Sequence, residues 1–411
     1  MEWNSNTIAE IFRPLKVSPF TRDELNYSGG NFRNVHYGDI LVKFPSVIDV
    51  EKEGLPYVND ASEPKCGRCS LLQDGDVIIA DTAEDEAVGK AIEIQGTTGQ
   101  KVVSGLHTIA YRPQEGIFAP GFLGYFLNSS AYHNQLLPLM QGIKVLSLSR
   151  SALADTVINY PSYAEQERIA DALSSIDALI AGLDEAIEKK RQIKEGLMQN
   201  LLTGRTRIPG FSGEWQEVRL GDVANVKSGF AFKSETYTPI GKYKVITIAN
   251  VLNGELNTSD CNRIDVKPKS LQDFHELKRD DIIVSMTGNV GRVCKVNEQN
   301  CLLNQRVGLI VPQKECLVVT TDFLYSVLNS KYFERMMIEK GQGAAQANLS
   351  NKDIESYVFP APISAEEQNL ISYSLQVADN EIETLRFKQN KYVLLKQGMM
   401  QNLLTGKTRL I

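Results

Sequence analysis

No run of about eighteen apolar residues occurs anywhere in the chain, and the opening Met1-Glu2-Trp3-Asn4-Ser5 lacks the basic-then-apolar pattern of a secretory leader. The expectation is a soluble, cytoplasmic protein with no membrane partner. Cysteine is scarce as well: six in 411 residues are too few for a disulfide framework. Only Cys66 and Cys69 stand at CxxC spacing, whereas a structural zinc takes four Cys or His ligands, so ordinary reduced thiols and no metal are expected. Histidine is limited to His36, His107, His133 and His275, which argues against a metal or nucleophile centre present in two copies. Also missing are GxxxxGK followed by Ser or Thr, a GxGxxG after a strand, HExxH, and the GxSxG elbow. The chain therefore reads as a binder without catalytic residues or a cofactor of its own.

Excess positive charge is lacking too. The formal net charge is −6, which excludes a protein that coats nucleic acid by bulk attraction. Residues 1–162 carry 13 basic and 19 acidic groups, against 31 of each in the rest. Any contact with DNA must come from local basic faces or be shared with a more basic partner.

What the sequence does contain is a repeat. Met198-Gln199-Asn200-Leu201-Leu202-Thr203-Gly204-Arg205-Thr206-Arg207 returns as Met400-Gln401-Asn402-Leu403-Leu404-Thr405-Gly406-Lys407-Thr408-Arg409, identical at nine of ten positions. At the same offset Glu165-Gln166 becomes Glu367-Gln368. Upstream the likeness is weaker: Gly142, Leu148-Ser149 and Pro161 correspond to Gly343, Leu349-Ser350 and Pro362, and Asp76-Val77-Ile78-Ile79 resembles Asp281-Ile282-Ile283-Val284.

Each repeated segment carries the pattern of a long helix. Ile169, Leu173, Ile176, Ile180, Leu183 and Ile187 alternate at spacings of four and three, as do Ile371, Leu375, Ala378, Ile382 and Leu385, with Tyr392 and Met399 further on. So narrow a seam calls for another helix, and pairing of the two within the chain is expected, an ordinary amphipathic helix on its own domain being the alternative. Prolines just before and glycines just after are the expected start and stop signals, and Glu165 to Leu202 would rise about 55 Å. Lys190 and Gln389, near the seam, are candidates for fixing register. The linker Arg207-Ile208-Pro209-Gly210-Phe211-Ser212-Gly213-Glu214-Trp215 resembles the joined ends of the chain, Arg409 and Glu2-Trp3. Neighbouring termini and an approximate two-fold with antiparallel helices are expected.

The organisation read from this is α+β: module one over 1–162, a helical spacer over 163–208, module two over 209–362, and a second helical spacer over 363–411. Strands are expected at Val77 to Ala80 and Ile282 to Ser285, and short helices at Phe122 to Leu127 and Phe323 to Leu328. Polar, glycine-rich stretches in the modules have the composition of base-reading loops. Glycine permits close approach, and Arg, Asn and Gln can make paired hydrogen bonds to base edges. Candidates for DNA contact are Ser28, Gly30, Arg33, Asn34, His107, Thr108 and Lys144 in module one. In module two they are Ser228, Lys233, Thr287, Asn289, Arg292, Asn304, Gln305 and Arg306. Any one of these could equally be an ordinary turn residue. Asp81 and Asp85 would repel phosphate, though they could accept from cytosine.

With two variable modules, two near-identical helices, the paired Glu-Gln starts, the Leu-Leu-Thr-Gly ends at Leu201 and Leu403 and the Pro209 to Trp215 linker, the chain resembles the specificity subunits of type I restriction-modification systems. Gly75 to Asp81 and Ser104 to Thr108 are also similar to stretches in one class of their target-recognition domains. The resemblance implies that each module reads half of a split, asymmetric site in double-stranded DNA while the helices set the gap. It further implies two modification subunits that bind S-adenosylmethionine and methylate adenine, and motor-nuclease subunits using ATP and Mg. The target base would be flipped into a partner's pocket. Two alternatives stand beside it, a two-module protein-interaction scaffold and a chain that is itself an enzyme.

Overall fold

A computed structural model describes residues 3–313, 319–341 and 347–410. Gly343 of the repeat and Cys316 lie outside the described residues. Two long helices run Tyr163–Leu201 and Ala365–Leu403, as the seams predict. Gly204 and Gly406 follow them with φ of +69° and +70°, the left-handed conformation in which helices commonly end on glycine. Among the described residues, no helix is long and apolar enough to cross a membrane.

The chain divides into two compact units, and the division falls inside both helices: one unit is 1–185 with 386–411, the other 186–385. Each unit thus holds one module and half of each helix.

In the first unit, Asn4–Thr7 pairs antiparallel with Val157–Tyr160, closing the start of the module onto its end. A five-stranded sheet runs in the order Phe12–Pro14, Thr108–Pro113, Val77–Ala80, Ala91–Gln95, Val47–Asp49. Val77–Ala80 is buried throughout and reads as a continuous apolar run, whereas Ala91–Gln95 buries Glu93 between its apolar residues and leaves Gln95 half-buried. A smaller sheet is ordered Val102–Ser104, Arg33–Val35, Tyr57–Val58, Leu25–Asn26, its first pair parallel. Phe122–Leu127 is the expected short helix.

Matching parts make up the second unit. Trp215–Arg219 pairs with Val358–Pro362, and the main sheet is ordered Ala224–Ser228, Val307–Pro312, Ile282–Ser285, Val293–Lys295. The small sheet runs Asn262–Ile264, Tyr243–Ile246, Cys301–Leu303, Glu276–Leu277, again with one parallel pair. The helix at Thr321–Leu328 begins two residues before the expected Phe323, on Thr321-Asp322.

Within each unit the helix halves pair antiparallel. In the first, Lys396 Nζ reaches Asp177 at 2.5 Å and Gln389 Nε2 donates to Asp184 at 2.5 Å. In the second, Lys190 bonds Glu381 at 2.6 Å and Lys194 bonds Asp379 at 2.5 Å. One number rises as the other falls, so the two helix halves of each pair run in opposite directions. Ile176, Ile187 and Ile382 are buried along this seam, and Ile180, Leu183, Leu385, Tyr392 and Met399 are half-buried. The beginnings of the helices behave differently from a pure coiled coil. Ile169 and Leu173 join the main core of the first unit with Leu403 and Leu404, and Ile371 and Leu375 join that of the second with Leu201 and Leu202. Each helix start is therefore shared between its module and the end of the other helix. In the first unit Trp3 packs on Gly406, as expected of neighbouring ends: a Cβ there would meet its ring at 3.1 Å.

Candidate nucleic-acid interface

In the second unit the chain leaves Cys301–Leu303, turns through Asn304-Gln305-Arg306 and enters Val307–Pro312. Four hydrogen bonds fix this turn. The Val307 N–H donates to the Asn304 carbonyl at 2.9 Å, and the Arg306 N–H donates to Asn304 Oδ1 at 3.3 Å. The Gln305 N–H donates to the Phe230 carbonyl at 2.9 Å, and the Met286 N–H to the Arg306 carbonyl at 3.0 Å. Gly229 is required beside it, because a Cβ there would lie 2.2 Å from the Asn304 carbonyl oxygen. With the backbone bound, the Gln305 and Arg306 side chains extend into solvent, and Arg306 makes no ion pair among the described residues. The adjacent loop closes on Ser285, whose hydroxyl donates to the Asn289 carbonyl at 2.5 Å and accepts from the Arg292 N–H at 3.0 Å.

The first unit has a turn at the equivalent place, in different residues and a different backbone conformation. Val102–Ser104 leads through Gly105-Leu106-His107 into Thr108–Pro113. Beneath it lies a buried chain of hydrogen bonds: Asn34 Nδ2 to Ser18 Oγ (3.0 Å), Ser18 Oγ to the Ser104 carbonyl (2.7 Å), and Thr108 Oγ1 to the Gly105 carbonyl (2.5 Å). His107 adopts φ of +56° and is exposed at the top. Its Nδ1 is 3.6 Å from Asp81 Oδ1 and 3.5 Å from Thr82 Oγ1, and its ring meets Tyr37 edge-on at 5.2 Å. His36, its ring tilted against Tyr37 at 4.7 Å, accepts from the Gly38 N–H through Nδ1; burial, then the charge of Arg22, pushes its pKa below the usual value. Lys144 stands exposed on a turn that Gly142 alone allows, since φ is +127° and a Cβ would sit 1.9 Å from the Val145 carbonyl oxygen. That turn is joined to Thr82–Ala83 by the pairing of Leu146–Ser147.

Several of the expected contact residues face inward instead. Asn34 is fully buried; Thr108, Thr287 and Asn304 are buried too and hold turns from within. Arg33 donates to the Val50 carbonyl at 2.6 Å and lies 5.1 Å from the Tyr57 ring, while Arg292 is half-buried beside Glu334 at 3.9 Å. In this structure all six are engaged within the chain, and the four buried ones present almost no side chain to solvent. Ser28 and Gly30 are exposed, but Arg33 lies opposite Val102 and Val35 opposite Ser104 in parallel register. The loop entering that strand is thus at the far end from His107. Ser228 is exposed and bonded to Asn351 Oδ1 at 2.8 Å, and Lys233 and Asn289 are exposed as well. The structure brings together His107 with Asp81, Thr82 and Tyr37, and Gln305 and Arg306 with Phe230. Nothing in the sequence marks Tyr37, whereas Phe230 lies inside the stretch from Ser228 to Lys233 that has the composition of a reading loop.

Among the described residues no three His, Cys, Asp or Glu side chains lie close enough to hold a metal ion. Burial pushes the Cys66 thiol up to about 11, far from a reactive thiolate.

A sequence model of the type I restriction modification DNA specificity domain matches residues 212–393. A provisionally named type I restriction enzyme specificity subunit of Methanocaldococcus jannaschii is 25% identical over 414 residues, covering 98% of this chain and 92% of its own. A second specificity subunit from that organism is 26% identical over 284 residues, 66% of each chain. The crystal structure of a type I restriction-modification S subunit from M. genitalium superposes with a TM-score of 0.58 at 15% identity, covering 98% of this chain and 96% of the other.

Proposed function

We propose that this chain, which belongs to the type I restriction-modification specificity subunits, selects a bipartite, asymmetric sequence in double-stranded DNA for enzymes it does not contain. Each module reads one half. Module one spans 1–162 and module two 209–362, and the helical spacers 163–208 and 363–411 set the gap between half-sites. The observation that carries this is the recurrence, in each unit, of a turn between a parallel strand pair of the small sheet and the main sheet, its backbone hydrogen-bonded and its polar side chains exposed: His107 in one, Gln305 and Arg306 in the other. Pre-ordered donors on a fixed backbone are what base-edge recognition requires.

The chain is non-catalytic in this reading. S-adenosylmethionine, ATP and Mg belong to two modification subunits and to motor-nuclease subunits. Their docking is supported by apolar side chains left open on the helices: Phe387 is 75% and Leu394 67% exposed in the first unit, and Tyr373 is 64% exposed in the second. Basic partners would also supply the phosphate contacts that a chain of net charge −6 lacks. The test is to co-express the chain with its modification subunits in a host free of adenine methylation and sequence the methylome. One split motif is expected. Methylation by the chain alone, or a complex without sequence preference, would overturn the proposal.

A further inference from the structure

We infer that one half of the recognised site contains a guanine with an adenine beside it on the same strand, read in the major groove by Arg306 and Gln305. This rests on the specificity-subunit reading above and adds to it the identity of bases.

Asn304, Gln305, Arg306 and Val307 form a four-residue reverse turn, closed by the 2.9 Å bond from the Val307 N–H to the Asn304 carbonyl. Gln305 and Arg306 are its two corner residues, so both side chains leave from the outermost point. Asn304 is itself buried, and its side chain locks the corner by accepting from the Arg306 N–H. Two flanking segments grip the turn through the Phe230 carbonyl and the Met286 N–H. The main chain is thereby prevented from following a side chain that finds the wrong base.

Chemistry then selects the ligand. A guanidinium matches the O6 and N7 acceptors of guanine with two parallel N–H donors. A carboxamide matches the N6 donor and N7 acceptor of adenine, and neither match is available at a pyrimidine. Arg306 has no carboxylate partner among the described residues to compete for it. The equivalent corner of the first unit differs: Leu106 is half-buried and apolar, and His107 already stands 3.6 Å from Asp81 and 3.5 Å from Thr82. The guanine-adenine reading by such a corner is therefore assigned to the half-site of module two.

The experiment is methylome sequencing of the complete modification complex carrying wild-type chain, R306A, R306K, Q305A or, as a marker of the other half, H107A. Wild type is expected to show the guanine-adenine step in one half-site. R306A should accept other bases at the guanine, with discrimination falling about ten-fold or more. R306K should be intermediate, because an ammonium cannot bond both acceptors in one plane. Q305A should relax the adjacent adenine, and H107A should leave both positions strict. A defined wild-type motif that R306A leaves unchanged, or that R306A relaxes at a base other than guanine, overturns this inference and leaves the specificity reading standing. A wild-type complex without any motif sinks both.

Discussion

Arg409 grips Glu165 across 244 residues of sequence, with Nε and Nη2 donating to the two carboxylate oxygens at 2.7 and 2.6 Å. The end of one long helix is thereby tied to the beginning of the other inside the first unit. Arg207 and Glu367 make the same bidentate pair in the second unit at 2.7 and 2.8 Å. The neighbouring glutamines complete the anchor: Gln166 accepts from the Ala119 N–H and donates to the Ile117 and Pro161 carbonyls, and Gln368 accepts from the Thr320 N–H. A repeated Glu-Gln word is thus one residue for the other helix and one for the module.

Removing one partner of such a pair should be costly. Glu165 is 3% exposed, and the Arg409 hydrogen bonds hold its carboxyl below the usual carboxylate range. R409A leaves that carboxylate without its bidentate partner, and a lower melting temperature is expected from breaking the pair. Because the folded pKa is depressed, the pair's contribution is present above the unfolded value of 4.5 and is lost as pH falls through the lower folded value. Thermal melts of wild type and R409A should therefore differ at neutral pH and converge in acid. Equal melting temperatures at neutral pH would deny the pair this role.

Glu93 has the opposite sign. Burial pushes its carboxyl up to about 7, against the N–H donors of Gly121 and Gly124 and the amide of Gln95. A folded pKa above the unfolded 4.5 means that stability is full below 4.5 and declines as pH rises through about 7. E93Q removes the titration at the expense of one acceptor. Its melting temperature should be lower than wild type in mild acid and flatter with pH; a wild-type profile that stays level through neutrality would refute this.

The helices were legible because a seven-residue period survives any context, and the repeat fixed where they stop. The start of the seam was less so: Ile169 and Leu173 satisfy the coiled-coil spacing, yet the module takes them into its core. Spacing reports that a face is buried and not what buries it. The candidate surface was only partly legible for a related reason. Side chains alternate along a strand and its flanking turn, so Asn304 and Gln305 share a composition but not a direction. Gly30 and His107 look alike as loop residues, and only the parallel register at Arg33 and Val102 sends their loops to opposite ends.

Docking of partners on the helices predicts that F387D with L394D abolishes co-purification of the modification subunits. Both side chains are largely exposed, so the melt of the isolated chain should move by no more than about 0.5 kcal/mol. An intact complex would place the docking face elsewhere.

The ruler role of the helices makes the sharpest prediction. Four residues inserted between Lys189 and Lys190 add about 6 Å to a helix at 1.5 Å per residue. That is close to two base-pair rises of about 3.4 Å. They also carry the Lys190 to Glu381 and Lys194 to Asp379 pairs one turn out of register, so the matching insertion between Glu381 and Ile382 is needed to restore them. The doubly extended chain should methylate the same two half-sites with a gap longer by one or two base pairs, which methylome sequencing reads directly. Retention of the original gap by a folded, active, extended complex would mean that something other than helix length sets the spacing.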